Sequence, residues 1–382
     1  MNSPRVARLV FAGGGTGGHL YPAVAIADRV KELLQSRMKV EIVFIGTKRG
    51  IEYRVRDTLG YPLHIITVWG LARSLTLKNL LVPFVFLMAL WRSSAFLAKF
   101  KPHLVVATGG YVCLPIGRMA ASRNIPLVLQ EQNSFPGIST RQLAPHAQRI
   151  FLGFEEGAEY LKTEARVLIT GNPVRRNIAG GDRAQAQRAF NLDANKKTIL
   201  VLGGSQGALA INQAVLNSLG RLSGNSDIQL LWQTGKRGYT DVIASAGEKV
   251  HGHSLFPFEN RMELVYAAAD IAIARAGAIT MAELEACAVP AVLVPYPHAA
   301  GDHQRKNAAA FSANGYAVVV EENELPGIDL VDSANDLLAN GEAARMRERM
   351  RQNNQGRTPA VDMIAEEIIQ LISGPETKGE EA

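Results

Sequence analysis

The sequence predicts an α/β protein made of two doubly wound, Rossmann-like domains, and three observations carry that prediction. Strand-like and helix-like runs alternate along the 382 residues. A strand, a glycine-rich turn and a helix open the chain and recur near residue 200 as a half-repeat. The length suffices for two separate cores, and 47% hydrophobic with 20% charged residues is the composition of a folded globular chain.

In order, residues 7–11 form an apolar strand, residues 13–19 a glycine turn and residues 21–34 a helix. Residues 40–46, 104–110 and 126–130 read as buried strands that end in polar or glycine-rich turns. Residues 171–175 have linker composition and set the boundary between a domain of 1–174 and one of 175–360. Residues 198–202 restart the pattern before a second glycine turn, and strands follow at 228–233, 271–274, 291–295 and 317–320. Residues 361–372 form a terminal helix, expected to pack back on the first domain, and 374–382 read as a disordered tail.

The turn Gly13-Gly14-Gly15-Thr16-Gly17-Gly18-His19 has five glycines in its first six positions. Bare amides at a helix start, where the backbone carries partial positive charge, are a seat for an anionic group such as a diphosphate. Phosphate binding does not need His19. Histidine is the side chain whose ordinary pKa lies near neutrality, which makes His19 a candidate general base for a hydroxyl nucleophile, with a structural helix-start histidine as the alternative.

Charge is divided unevenly. Residues 1–175 hold 22 Lys and Arg against 10 Asp and Glu, whereas residues 176–382 hold 19 against 25. No acidic residue occurs from Thr58 to Gln130, while Arg73, Lys78, Arg92, Lys99, Lys101, Arg118 and Arg123 do. Inside that basic stretch, residues 80–91 are twelve apolar residues closed by Arg92. Spanning a bilayer takes about 20, so the run is expected to lie on an anionic membrane surface. Leu80, Leu81, Phe84, Phe86, Leu87 and Trp91 would insert there, with Arg73, Lys78 and Arg92 at the headgroups; a buried core helix is the alternative. The aromatic residues are not interleaved with Lys and Arg and no nucleic-acid motif occurs, so nucleic acid is not an expected partner. Cys113 and Cys287 sit in apolar sequence and suggest neither disulfide nor zinc, which fits a reducing compartment. The first apolar segment is short and runs into the glycine turn, so no signal peptide is expected.

Gly13, Gly15 and Gly18 also satisfy the dinucleotide fingerprint G-x-G-x-x-G. That reading lacks the acidic residue expected at the end of the second strand, where residues 44–49 have none, although Lys48 and Arg49 leave an NADP-dependent oxidoreductase open. Neither glycine loop has the G-K-[ST] ending of a nucleotide kinase. Two glycine loops turned to a shared cleft suit a reaction between two diphosphate-bearing substrates, one per domain; a catalytically silent membrane-docked module is a third class. In the second half, Arg275-Ala276-Gly277-Ala278-Ile279-Thr280-Met281-Ala282-Glu283 opens a helix whose amides suit a diphosphate, with Glu283 placed to accept ribose hydroxyls. Asp302-His303-Gln304-Arg305-Lys306-Asn307 gathers side chains suited to sugar hydroxyls, simple helix caps being the alternative.

Seven motifs, in order over nearly the whole chain, together resemble the MurG family. They are Gly14-Gly15-Thr16-Gly17-Gly18-His19, Gly109-Gly110-Tyr111-Val112, Glu131-Gln132-Asn133, Gly171-Asn172-Pro173-Val174-Arg175, Gly203-Gly204-Ser205-Gln206-Gly207-Ala208, and the stretches opening at Arg275 and Asp302. The family comprises the UDP-N-acetylglucosamine:undecaprenyl-diphosphoryl-N-acetylmuramoyl-pentapeptide N-acetylglucosaminyltransferases of bacterial cell-wall synthesis. The resemblance implies a GT-B fold, with the acceptor and membrane side in the first domain and UDP-GlcNAc in the second. It implies that Arg175, Ser205, the backbone near Phe258 and Glu259, Ala278, Ile279, Thr280, Met281, Ala282 and Glu283 hold the UDP part. Asn133 and Gln304 would contact the donor sugar. Gly14, Gly15, Thr16, Gly17, Gly18, His19, Gly110 and Tyr111 would line the acceptor diphosphate and reaction centre, with Thr16, Gly17 and Gly18 also reaching the donor.

The implied acceptor is N-acetylmuramoyl-pentapeptide (MurNAc-pentapeptide) on undecaprenyl diphosphate. The implied location is peripheral, on the cytoplasmic face of the inner membrane, with cell-wall synthesis proteins as partners. No cofactor is implied as required, and the chain has no Asp-x-Asp triplet to hold a divalent ion, which leaves loosely bound magnesium compatible. The expected chemistry is attack of the muramoyl C4 hydroxyl on C1 of the α-linked GlcNAc, with inversion. His19 would take the proton, while helix-end amides and Arg175 meet the charge on the departing UDP. Three positions depart from the usual pattern. Gln130 stands in place of a histidine, Cys113-Leu114 in place of Ser-Gly and Ala276 in place of a serine.

Overall fold

A computed structural model describes residues 6–69, 81–204, 207–222 and 227–373. Its elements begin β1 (Val6–Gly13), α1 (Gly17–Leu34), β2 (Lys39–Gly46), α2 (Ile51–Arg54), β3 (Leu63–Ile65), α3 (Val82–Phe100) and β4 (Leu104–Gly109). They continue α4 (Cys113–Ser122), β5 (Leu127–Glu131), α5 (Ile138–Leu143), β6 (Arg149–Leu152), β7 (Arg166–Ile169), α6 (Arg183–Ala189), β8 (Lys197–Leu202) and α7 (Leu209–Leu222). Then come β9 (Ile228–Gln233), α8 (Tyr239–Ala246), β10 (Ser254–Phe256), α9 (Met262–Ala268), β11 (Ile271–Ala274), α10 (Ala278–Ala286) and β12 (Ala291–Leu293). The chain closes with α11 (His303–Ala313), β13 (Ala317–Val319), α12 (Leu330–Ala339), α13 (Glu342–Asn354) and α14 (Ala360–Ser373).

The chain forms two compact units, Met1–Arg175 with Thr358–Ala382, and Arg176–Arg357. The first contains a parallel sheet of order β3-β2-β1-β4-β5-β6-β7, the second a parallel sheet of order β10-β9-β8-β11-β12-β13. Parallel strands need crossover helices and are covered on both faces, which is why their sequences read as unbroken apolar runs. All six residues of β4 and all four of β11 are buried. Strand order reverses between β1 and β4 in the first sheet and between β8 and β11 in the second. In open α/β sheets the ligand crevice lies beyond the carboxyl ends of the strands at such a reversal, so topology alone selects the turns after Gly13, Gly109, Leu202 and Ala274.

Side-chain alternation along the strands divides the first unit's core in two. Leu9, Phe11 and Phe44 pack on one face with Leu20, Ala23 and Ala27 of α1 and with Ile364 and Ile368 of α14. Val10, Ala12 and Val105 pack on the other with Leu97 of α3, Ile116 of α4 and Leu143 of α5. Ion pairs tie α14 to this unit: Arg29 meets Asp362, and Glu367 lies 3.1 Å from both Arg149 and Arg166. In the second unit Trp232 is fully buried, and its indole N–H donates to Asn212 Oδ1 of α7 at 3.1 Å.

The run at residues 80–91 is corrected in length. Residues 82–91 belong to α3, a 19-residue helix that continues past Arg92 to Phe100 and is by length and composition alone sufficient to cross a membrane. Arg92 does not end the helix because it projects from the surface while Ser93 and Leu97 keep the next turns anchored. The helix has two apolar faces. Ala89, Ser93 and Leu97 are buried within the unit. Leu81, Phe84, Leu87, Met88 and Trp91, which fall on the opposite side at helical spacing, are 50–77% exposed. Phe86 is half-buried, and Arg92 and Lys99 are exposed beside the stripe. Arg73, Lys78 and Leu80, like Ser205 and residues 374–382, lie outside the described residues.

Candidate functional site

In the first unit, the glycine turn between β1 and α1 meets the turn after β4. Gly109 and Gly110 have φ of +110° and +86°, and a Cβ on Gly110 would lie 2.4 Å from Gly14 O. A Cβ on Gly109 would lie 2.6 Å from His19 Nδ1, so Gly109 makes the seat of the imidazole. The Thr108 hydroxyl donates to His19 O at 2.8 Å, tying the first turn of α1 to β4. The turn presents Gly15, Thr16 and Gly18 outward, His19 is half-buried and Tyr111 is 64% exposed. Beneath it, the Cys113 thiol donates to Ala12 O at 2.9 Å; burial pushes it up to about 12, so it is an inert packing group doing the work of a hydroxyl donor.

The expectation of bare amides needs one correction. Gly15 N–H donates to Glu52 Oε2 at 2.8 Å, and Glu52 Oε1 accepts from Thr47 N–H at 2.8 Å. Glu52 is fully buried under the loop, where a Cβ at Gly14, Gly46 or Gly50 would strike it. A carboxylate is thus built into the turn, and the donors facing outward are the amides of Gly17 and Gly18, which have no intrahelical acceptor at a helix start. Glu52, in α2, is the first acidic residue after β2, and backbone amides engage its carboxylate.

The turn after β5 is organised by a second buried carboxylate. Glu131 accepts from Gln132 N–H, Asn133 N–H, the Asn133 side-chain amide, Gly137 N–H and the Thr140 hydroxyl. This fixes the strand end so that Gln132 Oε1 reaches His19 Nδ1 at 2.9 Å. Gln130 is fully buried and donates to Asn172 Oδ1 at 3.2 Å, so it supports the loop from within. The predicted Asn133 lies in this turn, and Arg175 closes the first unit.

In the second unit, the turn after β8 passes through Gly204 and Gly207, with φ of +76° and +81°. A Cβ on Gly207 would lie 2.4 Å from Thr234 O, so Gly207 packs closely against the end of β9. After β11, Gly277 caps α10 with extended backbone, which points the first-turn amides of α10 out of the switch point. Ala278 and Met281 are buried, and the Met281 N–H donates to Gly277 O at 3.0 Å within the helix; Ile279, Thr280 and Ala282 are half-buried. Glu283 Oε2 accepts from the Tyr266 hydroxyl at 2.8 Å, which holds the carboxylate on the α9 side of the helix. Arg275 donates to Val294 O at 3.1 Å, pairs with Glu322 and lies over the Tyr296 ring, so it braces the loop after β12. From that loop Tyr296 N–H donates to Gln304 Oε1 at 3.0 Å, which ties the start of α11 to the loop after β12.

Glu259 follows β10 and is engaged within its own unit. Its N–H donates to Gln233 Oε1 at 3.1 Å, and its carboxylate, held down to about 2 by the Arg261 guanidinium, accepts from Arg261 and Asn260. The Phe258 ring is engaged by Lys236 at 5.5 Å.

Both switch points therefore carry a glycine turn feeding a helix N-terminus. Residues 9–152 match the glycosyltransferase family 28 N-terminal domain and residues 198–364 the family 28 C-terminal domain. The chain is 40% identical to a UDP-N-acetylglucosamine--N-acetylmuramyl-(pentapeptide) pyrophosphoryl-undecaprenol N-acetylglucosamine transferase of Salinibacter ruber, over 97% of this chain and 98% of that one. It is 42% identical to the like-named transferase of Chlorobium luteolum, over 88% and 92%. The chain belongs to the MurG family. The crystal structure of Acinetobacter baumannii MurG superposes with a TM-score of 0.70 at 24% identity over 97% of this chain and 99% of that one, which shows the shared GT-B fold.

With the MurG family established, the nicotinamide reading of G-x-G-x-x-G falls. Sequence reasoning missed Glu52, Gln132, Asn172 and Tyr266 as site-building side chains. The signal for Glu52 was an acid flanked by Gly46 and Gly50 just past a strand end, a spacing that leaves room for a carboxylate to turn under a neighbouring loop.

Proposed function

We propose that this chain is an inverting glycosyltransferase that moves GlcNAc from UDP-GlcNAc to the C4 hydroxyl of lipid-diphosphate-linked MurNAc-pentapeptide in peptidoglycan synthesis. The observation that carries it is identity of 36–42% to transferases bearing that name, over 87–97% of this chain. The donor belongs at the switch point of the second unit, where the first turn of α10 meets the diphosphate and Glu283 the ribose. The acceptor belongs at the switch point of the first, where the Gly17 and Gly18 amides, Gly110 and Tyr111 surround its diphosphate and His19 takes the proton from its hydroxyl. As that bond forms to C1 of GlcNAc, the bond from C1 to the UDP oxygen breaks and its electron pair leaves with UDP. The exposed apolar stripe of α3, bordered by Arg92 and Lys99, supports peripheral docking on an anionic bilayer, where the acceptor resides. Because the opposite face of α3 is buried in its own unit, docking on the surface is favoured over crossing it. The test is incubation with radiolabelled UDP-GlcNAc and a lipid-diphosphate muramoyl acceptor. Label in an organic-extractable disaccharide supports the reading; label confined to the aqueous phase refutes it.

A further inference from the structure

The His19–Gln132 contact determines which ring nitrogen carries the hydrogen. Nδ1 of His19 lies 2.9 Å from Gln132 Oε1. The other end of that amide identifies itself by its surroundings. Gln132 Nε2 is 2.7 Å from Thr108 O, 3.1 Å from Gln130 O and within bonding distance of Gln130 Oε1. Three carbonyl oxygens around one terminus require the NH2 group there, so the terminus facing His19 is oxygen, an acceptor without a hydrogen. The hydrogen between ring and amide must then sit on Nδ1, and the imidazole lone pair is left on Nε2. The amide cannot turn over easily. Gln130 and Gln132 are buried, Gln130 Nε2 donates to Asn172 Oδ1 at 3.2 Å and Asn172 Nδ2 donates back to Gln132 O at 2.9 Å.

We propose that Gln132 is a positioning residue that locks His19 in the Nδ1–H tautomer, so that Nε2 is the atom that accepts the proton of the attacking hydroxyl. This rests on the glycosyl-transfer reading above. In that step the hydroxyl proton passes to Nε2 as the sugar oxygen bonds to C1 and the UDP oxygen leaves with its electron pair; the imidazolium keeps its Nδ1–H on Gln132. The ionisable groups on neighbouring elements are otherwise engaged. The Glu52 carboxylate of α2 holds the Gly15 and Thr47 amides, the Glu131 carboxylate of β5 accepts from Gly137 and Thr140, and the Cys113 thiol of α4 donates to Ala12 O.

The experiment uses the full chain as wild type, Gln132→Leu and Gln132→Glu, with nitrogen-15 spectra of the His19 ring and turnover profiles from pH 5 to 9. The wild type is expected to show hydrogen on Nδ1 and a bare Nε2, and Gln132→Leu a mixture of tautomers. Gln132→Leu is expected to lower kcat by about 10- to 100-fold with the KM for UDP-GlcNAc held within about twofold. Gln132→Glu, close to isosteric, keeps an oxygen against Nδ1–H, while its second oxygen meets the carbonyl oxygens that Nε2 now serves and is held there as the O–H of a neutral acid; it is expected to keep the hydrogen on Nδ1 and to recover part of the kcat that Gln132→Leu loses. Hydrogen on Nε2 in the wild type, or an unchanged tautomer in Gln132→Leu, would overturn the proposal. A wild-type protein that makes no extractable disaccharide sinks the transferase reading instead, and the spectra still decide the tautomer.

Discussion

The His19 ring is half-buried and leans on Gly109, while its backbone is tied to Thr108, so the ring is separable from the fold. Replacing His19 with Ala is expected to lower kcat by about 10²- to 10⁴-fold, the range for loss of a general base, with the KM for UDP-GlcNAc within about twofold. Steady-state kinetics checks this, and equal losses in kcat and donor binding would assign the ring a folding role. Gly109→Ala probes the same seat from below. At φ +110° with a Cβ 2.6 Å from Nδ1, the methyl group must displace the imidazole as well as strain the backbone. Stability is expected to fall by about 1–3 kcal/mol, read as the shift in denaturant midpoint, and kcat to approach that of His19→Ala. Gly15→Ala is the control: φ is +87° but the space around its Cβ is open, so backbone strain of about 1–2 kcal/mol should be the whole effect on stability. The glycines of this site were legible in the sequence because each removes a side chain from a turn. Glu52 and Gln132 were not, since their roles come from residues 37 and 113 positions distant in the chain, a proximity that no local pattern encodes.

Among the elements, the strands at the two switch points were the most legible, because burial on both faces writes an apolar run with few interruptions. The extent of α3 was the least. Its second half mixes Arg92, Ser93, Ser94 and Lys99 with Phe96 and Leu97, and only the packed structure shows that Ala89, Ser93 and Leu97 share one buried face. That face explains why the helix keeps Phe84, Leu87 and Trp91 in the open on the other side, where an exposed apolar stripe of this size calls for an apolar partner. Phe84→Glu with Trp91→Glu is expected to weaken sedimentation with anionic phospholipid vesicles at least tenfold, since each change removes an inserting ring and adds like charge to the surface. Thermal stability should shift little, because neither side chain is packed in the core. Unchanged vesicle binding would return α3 to an ordinary surface helix.

Across the molecule the two units differ in charge, yet each has a histidine whose ring accepts from a strand N–H and must stay neutral to do so. In the first, His103 Nδ1 accepts from Arg8 N–H at 3.0 Å, and in the second, His253 Nδ1 accepts from Leu230 N–H at 3.2 Å. Burial pushes both below the ordinary 6.5, with Arg8 and Lys196 adding repulsion to the charged forms. The unfolded chain therefore takes up these protons more readily than the folded one. Stability from this source is complete above about pH 6.5 and is lost as pH falls toward the lowered folded values, where protonation places a second hydrogen against a backbone donor. His253 is half-buried and His103 exposed, so the second unit should be the more acid-sensitive. Calorimetry of wild type, His253→Asn and His103→Asn between pH 7 and 5 checks this: the asparagines retain an acceptor and do not titrate. The fall in Tm with acid should shrink clearly for His253→Asn and slightly for His103→Asn, and an identical fall in all three proteins would show that neither contact governs acid stability.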